Sequence, residues 1–344
     1  MSRPVRVLVV DDSAFARKVL RDILRRAPGI EVVDIARDGL EALEKIAEHA
    51  PDVVTLDLVM PNLDGLGVLR ALPAEGGPRV VLVSISDEQS DLAIEALERG
   101  AVDLVNKPTA LATDRLYGIA DELVRKVMAA AAARPRRVLP EAPAPASPEP
   151  HAPRPGRAGV VVIGTSTGGP AALTRLLTSL PADLPVPIVA ALHIPPGYTA
   201  SLAARIDAQA RITVVEAADG MKLAPGRALL APGGRHLAVD RRGGVACVRF
   251  DQAPPDSLHC PSVDLLFRSA ARAFGAGVLG VVLTGMGDDG LAGSVAIHDA
   301  GGRILVESES TCVVYGMPRC VFEAGLAAAS VPLDAMGDAI LAHL

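Results

Sequence analysis

The sequence predicts an α/β protein of two domains joined by a proline-rich linker. Its 344 residues are long for one hydrophobic core and sufficient for two. Half of the residues are hydrophobic but only 2% are aromatic, which favours buried parallel strands covered by Ala-rich helices. Residues 134–157 contain eight prolines, which exclude helix interiors and central strands there. We therefore assign residues 1–127 to the first domain, 128–158 to the linker and 159–344 to the second domain.

Strands and helices alternate on both sides of the linker, a pattern typical of parallel sheets. In the first domain five strands alternate with five helices, and the last helix is expected from about Thr113. In the second domain the alternation is interrupted between Thr213 and Val248 by short strands that predict an antiparallel insert. The predicted strands read VRVLVV, EVVDIA, DVVTLDL, RVVLVS and VDLVN in the first domain, then GVVVIG, VPIVAALH and GVLGVVLTGMG in the second.

Charge and composition exclude several classes of protein. The formal net charge of −6 argues against a nucleic-acid partner, which would require a basic face. No apolar run approaches the roughly 18 residues that cross a bilayer, so we expect no membrane insertion. The four cysteines have no C-x-x-C spacing and are expected to be buried thiols of a reducing compartment. We expect a cytoplasmic monomer.

Polar side chains follow four strands of the first domain. They are Asp11 and Asp12 after the first strand, Asp57 after the third, Ser84 after the fourth and Lys107 after the fifth. In an open parallel sheet these ends share one edge. Three carboxylates at one edge would repel each other without a cation, and an all-oxygen ligand set suits Mg²⁺.

These residues, together with the spacing D-x-x-M-P-x-x-D-G and the pair KP, resemble a response-regulator receiver domain. The resemblance implies that Asp57 accepts a phosphoryl group from a histidine kinase and that Asp11, Asp12 and Asp57 hold Mg²⁺. It also implies that Ser84 and Lys107 sense the phosphoryl oxygens. The sequence departs from the family at Leu104, where many receivers have an aromatic switch residue.

The second domain begins with the strand and turn VVIGTSTGGPA. The turn lacks the lysine of a P-loop and the G-x-G-x-x-G spacing of a dinucleotide loop. Residues Gly164 to Gly168 read G-x-S-x-G between a strand and a helix, the pattern of a nucleophile elbow with Ser166 at its apex. The helix N-terminus and the backbone N–H of Thr167 are suited to stabilise an oxyanion.

A serine nucleophile needs a base, and His193 is the histidine that directly ends an apolar strand. The turn GMGDDG after a later strand offers Asp288 and Asp289 as partners for the imidazole. His236 and His259 lie in loop-like stretches where a surface position is the commoner outcome. The other histidines are weaker candidates by position: His49, His151, His298 and His343.

The order Ser…His…Asp behind a receiver, with TSTGGP, LHIPPGYTASLAARI, PSVDLLFRSAA, LTGMGDDGLAG and CVVYGMP, resembles the chemotaxis protein-glutamate methylesterases of the CheB family. The resemblance implies a Rossmann-like catalytic domain with Ser166 as nucleophile, His193 as general base and Asp289 as its partner. It further implies Met286 as a second oxyanion donor. Thr165 stands where the family usually has alanine, and we expect it to narrow access to Ser166.

The implied reaction is hydrolysis of glutamate γ-methyl esters on methylated chemoreceptors, with release of methanol and no cofactor at the esterase site. Some relatives also deamidate glutamine. Three alternatives were weighed. A transcriptional regulator would need a basic helix-turn-helix output, and the acidic α/β second half does not fit one. Loss of the serine or the histidine would favour a nucleotide- or scaffold-binding domain without the chemistry, and both residues are present. A small-molecule carboxylesterase is disfavoured only by the resemblance and by the lack of an aromatic-lined pocket.

Overall fold

The amino-terminal domain is a five-stranded parallel sheet with the strand order β2-β1-β3-β4-β5. This computed structural model describes residues 3–73, 76–84, 86–107, 119–133, 158–251 and 259–344. The elements of the domain are β1 (Val5–Val10), α1 (Ala14–Arg26), β2 (Ile30–Ala36), α2 (Gly39–His49), β3 (Val53–Leu56), α3 (Gly65–Ala71), β4 (Arg79–Ser84), α4 (Ser86–Glu98), β5 (Asp103–Asn106) and α5 (Ala120–Ala132).

Local sequence explains where three of these helices begin. The side chains of Ser13, Asp38 and Asp64 each accept a hydrogen bond from a backbone N–H in the first turn of α1, α2 and α3. Such caps satisfy amides that have no partner inside the helix. The central strand β3 is buried along its whole length, as expected where helices cover both faces of a parallel sheet.

The carboxy-terminal domain is a seven-stranded sheet with the order β14-β13-β12-β6-β7-β9-β8, in which every pairing is parallel. Its elements before the hairpin are β6 (Val160–Thr165), α6 (Gly169–Ser179), β7 (Ile188–Leu192), α7 (Thr199–Asp207), β8 (Thr213–Glu216) and β9 (Arg227–Leu230). Those after it are α8 (Val263–Phe274), a 3₁₀ turn (Gly275–Gly277), β12 (Val278–Val282), α9 (Leu291–Asp299), β13 (Arg303–Glu307), α10 (Met317–Glu323), β14 (Ala329–Val331) and α11 (Leu333–Leu341).

The antiparallel insert is smaller than the sequence predicts. Among the described residues, β10 (His236–Arg242) and β11 (Val245–Asp251) form one antiparallel hairpin, to which Lys222 adds a single antiparallel bridge at Cys247. Strands β8 and β9 lie in the same stretch but extend the main sheet in parallel. Short strands separated by Gly and Pro turns do not reveal their pairing partners, because pairing is decided by which sheet edge is available.

The two α/β folds with mostly parallel sheets confirm the predicted fold class. The last amino-terminal helix is described from Ala120 rather than Thr113, which lies outside the described residues. Helix α5 also continues to Ala132, so residues 128–132 of the stretch we assigned to the linker are helical. The proline-rich residues 134–157 lie outside the described residues.

The two domains pack against each other through apolar and polar contacts. A single cluster of buried apolar side chains includes residues of both sheets, such as Leu104 and Leu192. Val313 and Val314 of the second domain also pack on the core of the first.

None of the helices in the described part of the chain is both long and apolar enough to cross a membrane. All four cysteines are free thiols, but only Cys312 is buried and Cys260 is exposed. The expectation of buried thiols therefore holds for one of the four.

Candidate active site

The topology brings three polar loops to one edge of the second sheet. Strand β6 has β7 on one side and β12 on the other, so the strand order reverses there although the strands stay parallel, and ligands bind at such switch points in open α/β sheets. Ser166 follows β6, His193 follows β7, and Asp289 lies in the turn after β12. The three residues predicted from separate strand ends therefore lie in loops at the same edge of the sheet.

Backbone hydrogen bonds hold the turn that carries Ser166. The Ser166 N–H donates to the carbonyl of Thr284 (3.0 Å), and the Gly169 N–H donates to the carbonyl of Ser166 (2.7 Å). Gly168 has a φ of +79°, and a Cβ there would lie 2.7 Å from the Cβ of Val313. A side chain at this position would be both strained and obstructed, so the tight turn requires glycine.

Two features suit the turn for an oxyanion. The N–H groups of Ser166, Gly168 and Gly169 all donate to backbone carbonyls, whereas the Thr167 N–H has no acceptor among the described residues. Gly285 lies against the nucleophile, since a Cβ there would be 2.8 Å from the Cβ of Ser166. Met286 directly follows Gly285 in the chain, and its role as the second oxyanion donor stays a prediction.

His193 and Asp289 form a buried pair, with 2.8 Å between His193 Nε2 and Asp289 Oδ2. Asp289 also accepts hydrogen bonds from the backbone N–H groups of Val263 and Asp264 at the start of α8, both at 2.8 Å, and from the Ser262 hydroxyl at 3.1 Å. Burial alone would raise the pKa of Asp289, but the hydrogen bonds from His193 and from the α8 amides outweigh it and lower this pKa. The group therefore remains a carboxylate, as a partner of an imidazole should.

The pairing identifies the basic nitrogen of His193. Because a carboxylate only accepts hydrogen bonds, Nε2 carries the proton that points to Asp289. Nδ1 then keeps its lone pair. It is buried and has no hydrogen-bond partner among the described residues. Nδ1 is therefore the atom that can take a proton from a nucleophile.

Two further histidines lie at this site, although their loop positions made surface exposure the expected outcome. The His259 ring stacks on the His193 ring, with 4.1 Å between centroids and 12° between planes. Burial, with the charge on His193 as a second cause, lowers the pKa of His259 to about 4. His236 is buried and its Nδ1 accepts a hydrogen bond from the Ser262 N–H. No motif spacing marked these two residues.

Comparison with known proteins agrees with this geometry. Residues 161–340 match the family described as CheB methylesterase, and residues 7–117 match the response regulator receiver domain. The chain belongs to the CheB methylesterase family.

Relatives match this CheB chain over nearly its whole length. The protein-glutamate methylesterase/protein-glutamine glutaminase 5 of Myxococcus xanthus is 58% identical, with 99% of this chain and 98% of the relative covered. The corresponding protein of Geobacillus kaustophilus is 46% identical, with 98% of each covered. The crystal structure of the Thermotoga maritima CheB methylesterase catalytic domain matches with a TM-score of 0.52 and 38% identity, and covers 54% of this chain and 97% of that one.

In the receiver of this CheB chain, three carboxylate groups lie together at the switch point between β1 and β3. Carboxylate oxygens of Asp11, Asp12 and Asp57 lie within 4.8 Å of one another. Lys107 Nζ lies 2.7 Å from Oδ2 of both Asp11 and Asp57. Burial raises the pKa of Asp11; for Lys107 the attraction of the two carboxylates outweighs burial and raises the pKa. The receiver thus has an acidic site suited to a divalent metal ion.

The receiver also contacts the turn of residues 165–169 in the esterase domain, which we call the nucleophile turn after the predicted role of Ser166. The Thr167 hydroxyl donates to Asp103 Oδ2 (2.6 Å) in a buried contact, and the Gly168 N–H donates to the Val102 carbonyl (3.1 Å). On the receiver side, Lys126 Nζ lies 3.1 Å from Asp103 Oδ1. The start of β5 therefore packs directly on the turn that follows Ser166.

Other interdomain contacts lie along α4 and α7. Arg205 Nε lies 2.6 Å from Glu98 Oε2, and the hydroxyls of Ser90 and Ser201 are 3.0 Å apart. The hydroxyl of the fully buried Tyr198 donates to the carbonyl of Ser84, at 3.4 Å. The predicted switch residue Ser84 thus lies beside the esterase domain.

One residue singled out in the sequence, Thr165, takes a different place from the one expected. Thr165 is completely buried and its hydroxyl donates to the Thr284 carbonyl (2.7 Å), so it anchors the turn rather than narrowing access to Ser166. Asp288, the other acid of the GMGDDG turn, is exposed. The structure thus distinguishes the two aspartates that spacing alone left open.

Proposed function

We propose that this protein is a phosphorylation-activated serine esterase that hydrolyses glutamate γ-methyl esters on chemoreceptors and deamidates receptor glutamines at the same site. The observation that carries the proposal is the His193–Asp289 pair (2.8 Å) at the sheet switch point where β6 ends before Ser166. Family membership supports it, because relatives similar over the whole chain are named protein-glutamate methylesterase/protein-glutamine glutaminase.

The first half of the reaction forms an acyl-enzyme. Ser166 Oγ attacks the γ-carbonyl carbon while His193 Nδ1 takes its proton, and Asp289 stabilises the imidazolium that results. The negative oxygen of the tetrahedral intermediate is placed at the Thr167 and Met286 N–H groups. When the intermediate collapses, the C–O bond to the methoxy group breaks and His193 returns the proton, so methanol leaves.

The second half uses water in place of Ser166. His193 takes a proton from water as the hydroxyl attacks the acyl carbon. When the second intermediate collapses, the bond between the acyl carbon and Ser166 Oγ breaks and His193 returns the proton to Ser166 Oγ. The product is a free glutamate carboxyl. For a glutamine substrate the sequence is the same, except that ammonia is the leaving group.

The receiver controls this site by phosphorylation of Asp57. We infer that a chemotaxis-type histidine kinase is the phosphodonor, and that the Asp57 carboxylate attacks the phosphorus as the P–N bond to the donor histidine breaks. Asp11, Asp12 and Asp57 would hold Mg²⁺, which when bound neutralises the charge of the transferring group. Lys107 contributes a second positive charge at the same edge, and Ser84 lies at the end of the neighbouring strand.

The partners follow from this chemistry. Methylated chemoreceptors are the protein substrate, and we place the reaction in the cytoplasm, where a reducing environment suits four free thiols. We propose that the protein acts as a monomer.

The test is methanol release from methylated receptor membranes with and without a small-molecule phosphodonor and Mg²⁺. Wild type should release methanol faster with the donor, and Ser166→Ala should release none. A small-molecule carboxylesterase would instead hydrolyse soluble esters and leave receptor methyl groups in place, which would overturn the proposal.

A further inference from the structure

A buried acid that the proposed mechanism does not use lies close to the nucleophile turn. Glu307 is the last residue of β13 and is 0% exposed. A fully buried carboxyl group in an apolar sheet is costly unless it is paired or neutral. Its contacts therefore indicate what it does there.

One oxygen of Glu307 has a single well-formed contact. Oε2 accepts a hydrogen bond from the Thr284 N–H at 2.8 Å, between buried groups. Oε1 is also buried and has no hydrogen-bond partner of normal geometry among the described residues. The Thr311 hydroxyl, the Cys312 thiol and the Arg175 guanidinium also act on Glu307, each less strongly than burial and the Thr284 N–H.

Thr284 in turn holds both sides of the nucleophile turn. Its carbonyl accepts hydrogen bonds from the Ser166 N–H (3.0 Å) and from the Thr165 hydroxyl (2.7 Å). Its hydroxyl donates to the carbonyl of Thr167 (3.0 Å) and accepts from the Val314 N–H (3.0 Å). The residue whose N–H Glu307 binds, Thr284, is thus the one that the residues before, at and after the predicted nucleophile contact through its carbonyl and hydroxyl groups.

We propose that Glu307 is a positioning residue of the esterase, which sets the geometry of the Ser166 turn by holding the backbone of Thr284 through its N–H. This proposal rests on the proposed function, because it takes Ser166 as the nucleophile. Glu307 does not touch the reacting atoms, and it acts by keeping Ser166 Oγ and the Thr167 N–H in register with the substrate carbonyl.

The contacts also imply that Glu307 acts as a neutral acid. A charged carboxylate with one buried oxygen unpaired would carry the full desolvation cost, whereas a protonated carboxyl still offers an oxygen to the Thr284 N–H. Burial is also the main cause that raises the pKa of this group. An amide has the same shape and can supply the same acceptor, so glutamine should replace glutamate here.

The experiment compares Glu307→Ala, Glu307→Gln and Val306→Ala in the full-length protein. Val306 precedes Glu307 on the same strand and is fully buried, so its truncation controls for lost packing in β13. Two rates are measured: kcat and KM for methanol release, and the second-order rate at which an organophosphonate serine probe modifies Ser166. Thermal midpoints are recorded for all variants, and Glu307→Met replaces the alanine variant if that does not fold.

We expect Glu307→Ala to lower kcat and the probe rate by on the order of 10- to 100-fold, the scale of a misplaced reacting group, with KM changed less than about twofold. Glu307→Gln should stay within about threefold of wild type in both rates, and Val306→Ala should lose stability but keep its rates. Wild-type rates in Glu307→Ala, equal damage in Glu307→Gln, or an equal fall in Val306→Ala would each overturn the proposal. If wild type labels with the probe but releases no methanol, the proposed function fails while the probe rates still test Glu307.

Discussion

Asp289 combines two tasks in one side chain. It orients His193 through Nε2 and accepts hydrogen bonds from the two backbone N–H groups at the start of helix α8. Anionic groups are stabilised at helix N-termini, so the helix keeps the carboxylate charged while the carboxylate keeps the imidazole in the Nε2–H form. This mutual support explains why the neighbouring acid Asp288, at the exposed tip of the same turn, cannot take its place.

Replacing Asp289 with asparagine should lower kcat by on the order of 10⁴-fold, because an imidazole held in the wrong tautomer is a poor base. Asp288→Asn is the matched control and should leave kcat unchanged. Methanol release measures both, and circular dichroism checks that α8 still forms. Loss of activity in Asp288→Asn with retention in Asp289→Asn would show that the partner of His193 is misassigned.

Glu307 should make the stability of the protein depend on pH. Burial raises its pKa above the ordinary 4.5, so the folded state holds this proton more tightly than the unfolded chain. The stabilisation is complete below pH 4.5 and is lost as pH rises through the folded-state pKa. The thermal midpoint of Glu307→Gln relative to wild type should therefore increase from about pH 5 to about pH 8, and a gap that narrows over this range would contradict a neutral Glu307.

At the scale of elements, strand β5 connects the two sites of the molecule. Its first residue, Asp103, accepts the hydrogen bond from Thr167, and Lys107 directly after its last residue contacts Asp11 and Asp57. Four residues of strand span only about 13 Å. The predicted phosphorylation site and the turn that carries Ser166 are therefore joined by one short strand.

Replacing Asp103 with alanine should raise the methanol-release rate of the unphosphorylated protein by on the order of 10- to 100-fold, since a hydrogen bond to a charged group contributes about 1.5–3 kcal/mol. Glu122→Ala is the control, because Glu122 pairs with the same Lys126 (2.9 Å) without a described contact to Thr167. Its basal rate should stay near that of wild type. A basal rate in Asp103→Ala that equals or falls below that of wild type would show that this contact does not restrain the esterase.

At the scale of the whole molecule, two sheets with their own switch points share an apolar contact and several polar ones. Because the domains are joined in one chain, the effective concentration of one for the other is on the order of mM, and a modest contact is enough to dock them. Phosphorylation can shift this balance only by the difference in stability between docked and separated states. A contact of this strength allows the receiver to restrain the esterase domain reversibly.

The fragment of residues 158–344 should therefore release methanol faster than the unphosphorylated full-length protein. A phosphodonor should accelerate the full-length protein, and Asp57→Ala should abolish that response. Coomassie-calibrated rates per mole of each protein, measured on the same receptor membranes, provide the comparison. Equal rates for the fragment and the unphosphorylated whole would rule out restraint by docking and favour a receiver that assists binding to the receptor.

The sequence by itself determined the fold class and most of the candidate site, because these depend on local signals. Apolar runs that end in Asp11, Asp57, Ser166 or His193 place those residues at sheet edges whatever the details of packing. The stack of His259 on His193 and the route from Glu307 to Ser166 were decided only by the tertiary structure, which also contains the His193–Asp289 contact that the family resemblance implied. Each depends on which residues distant in sequence become neighbours, and no local pattern contains that information. The contact between Asp103 and Thr167 belongs to the same class, since it forms only when two separately folded sheets dock.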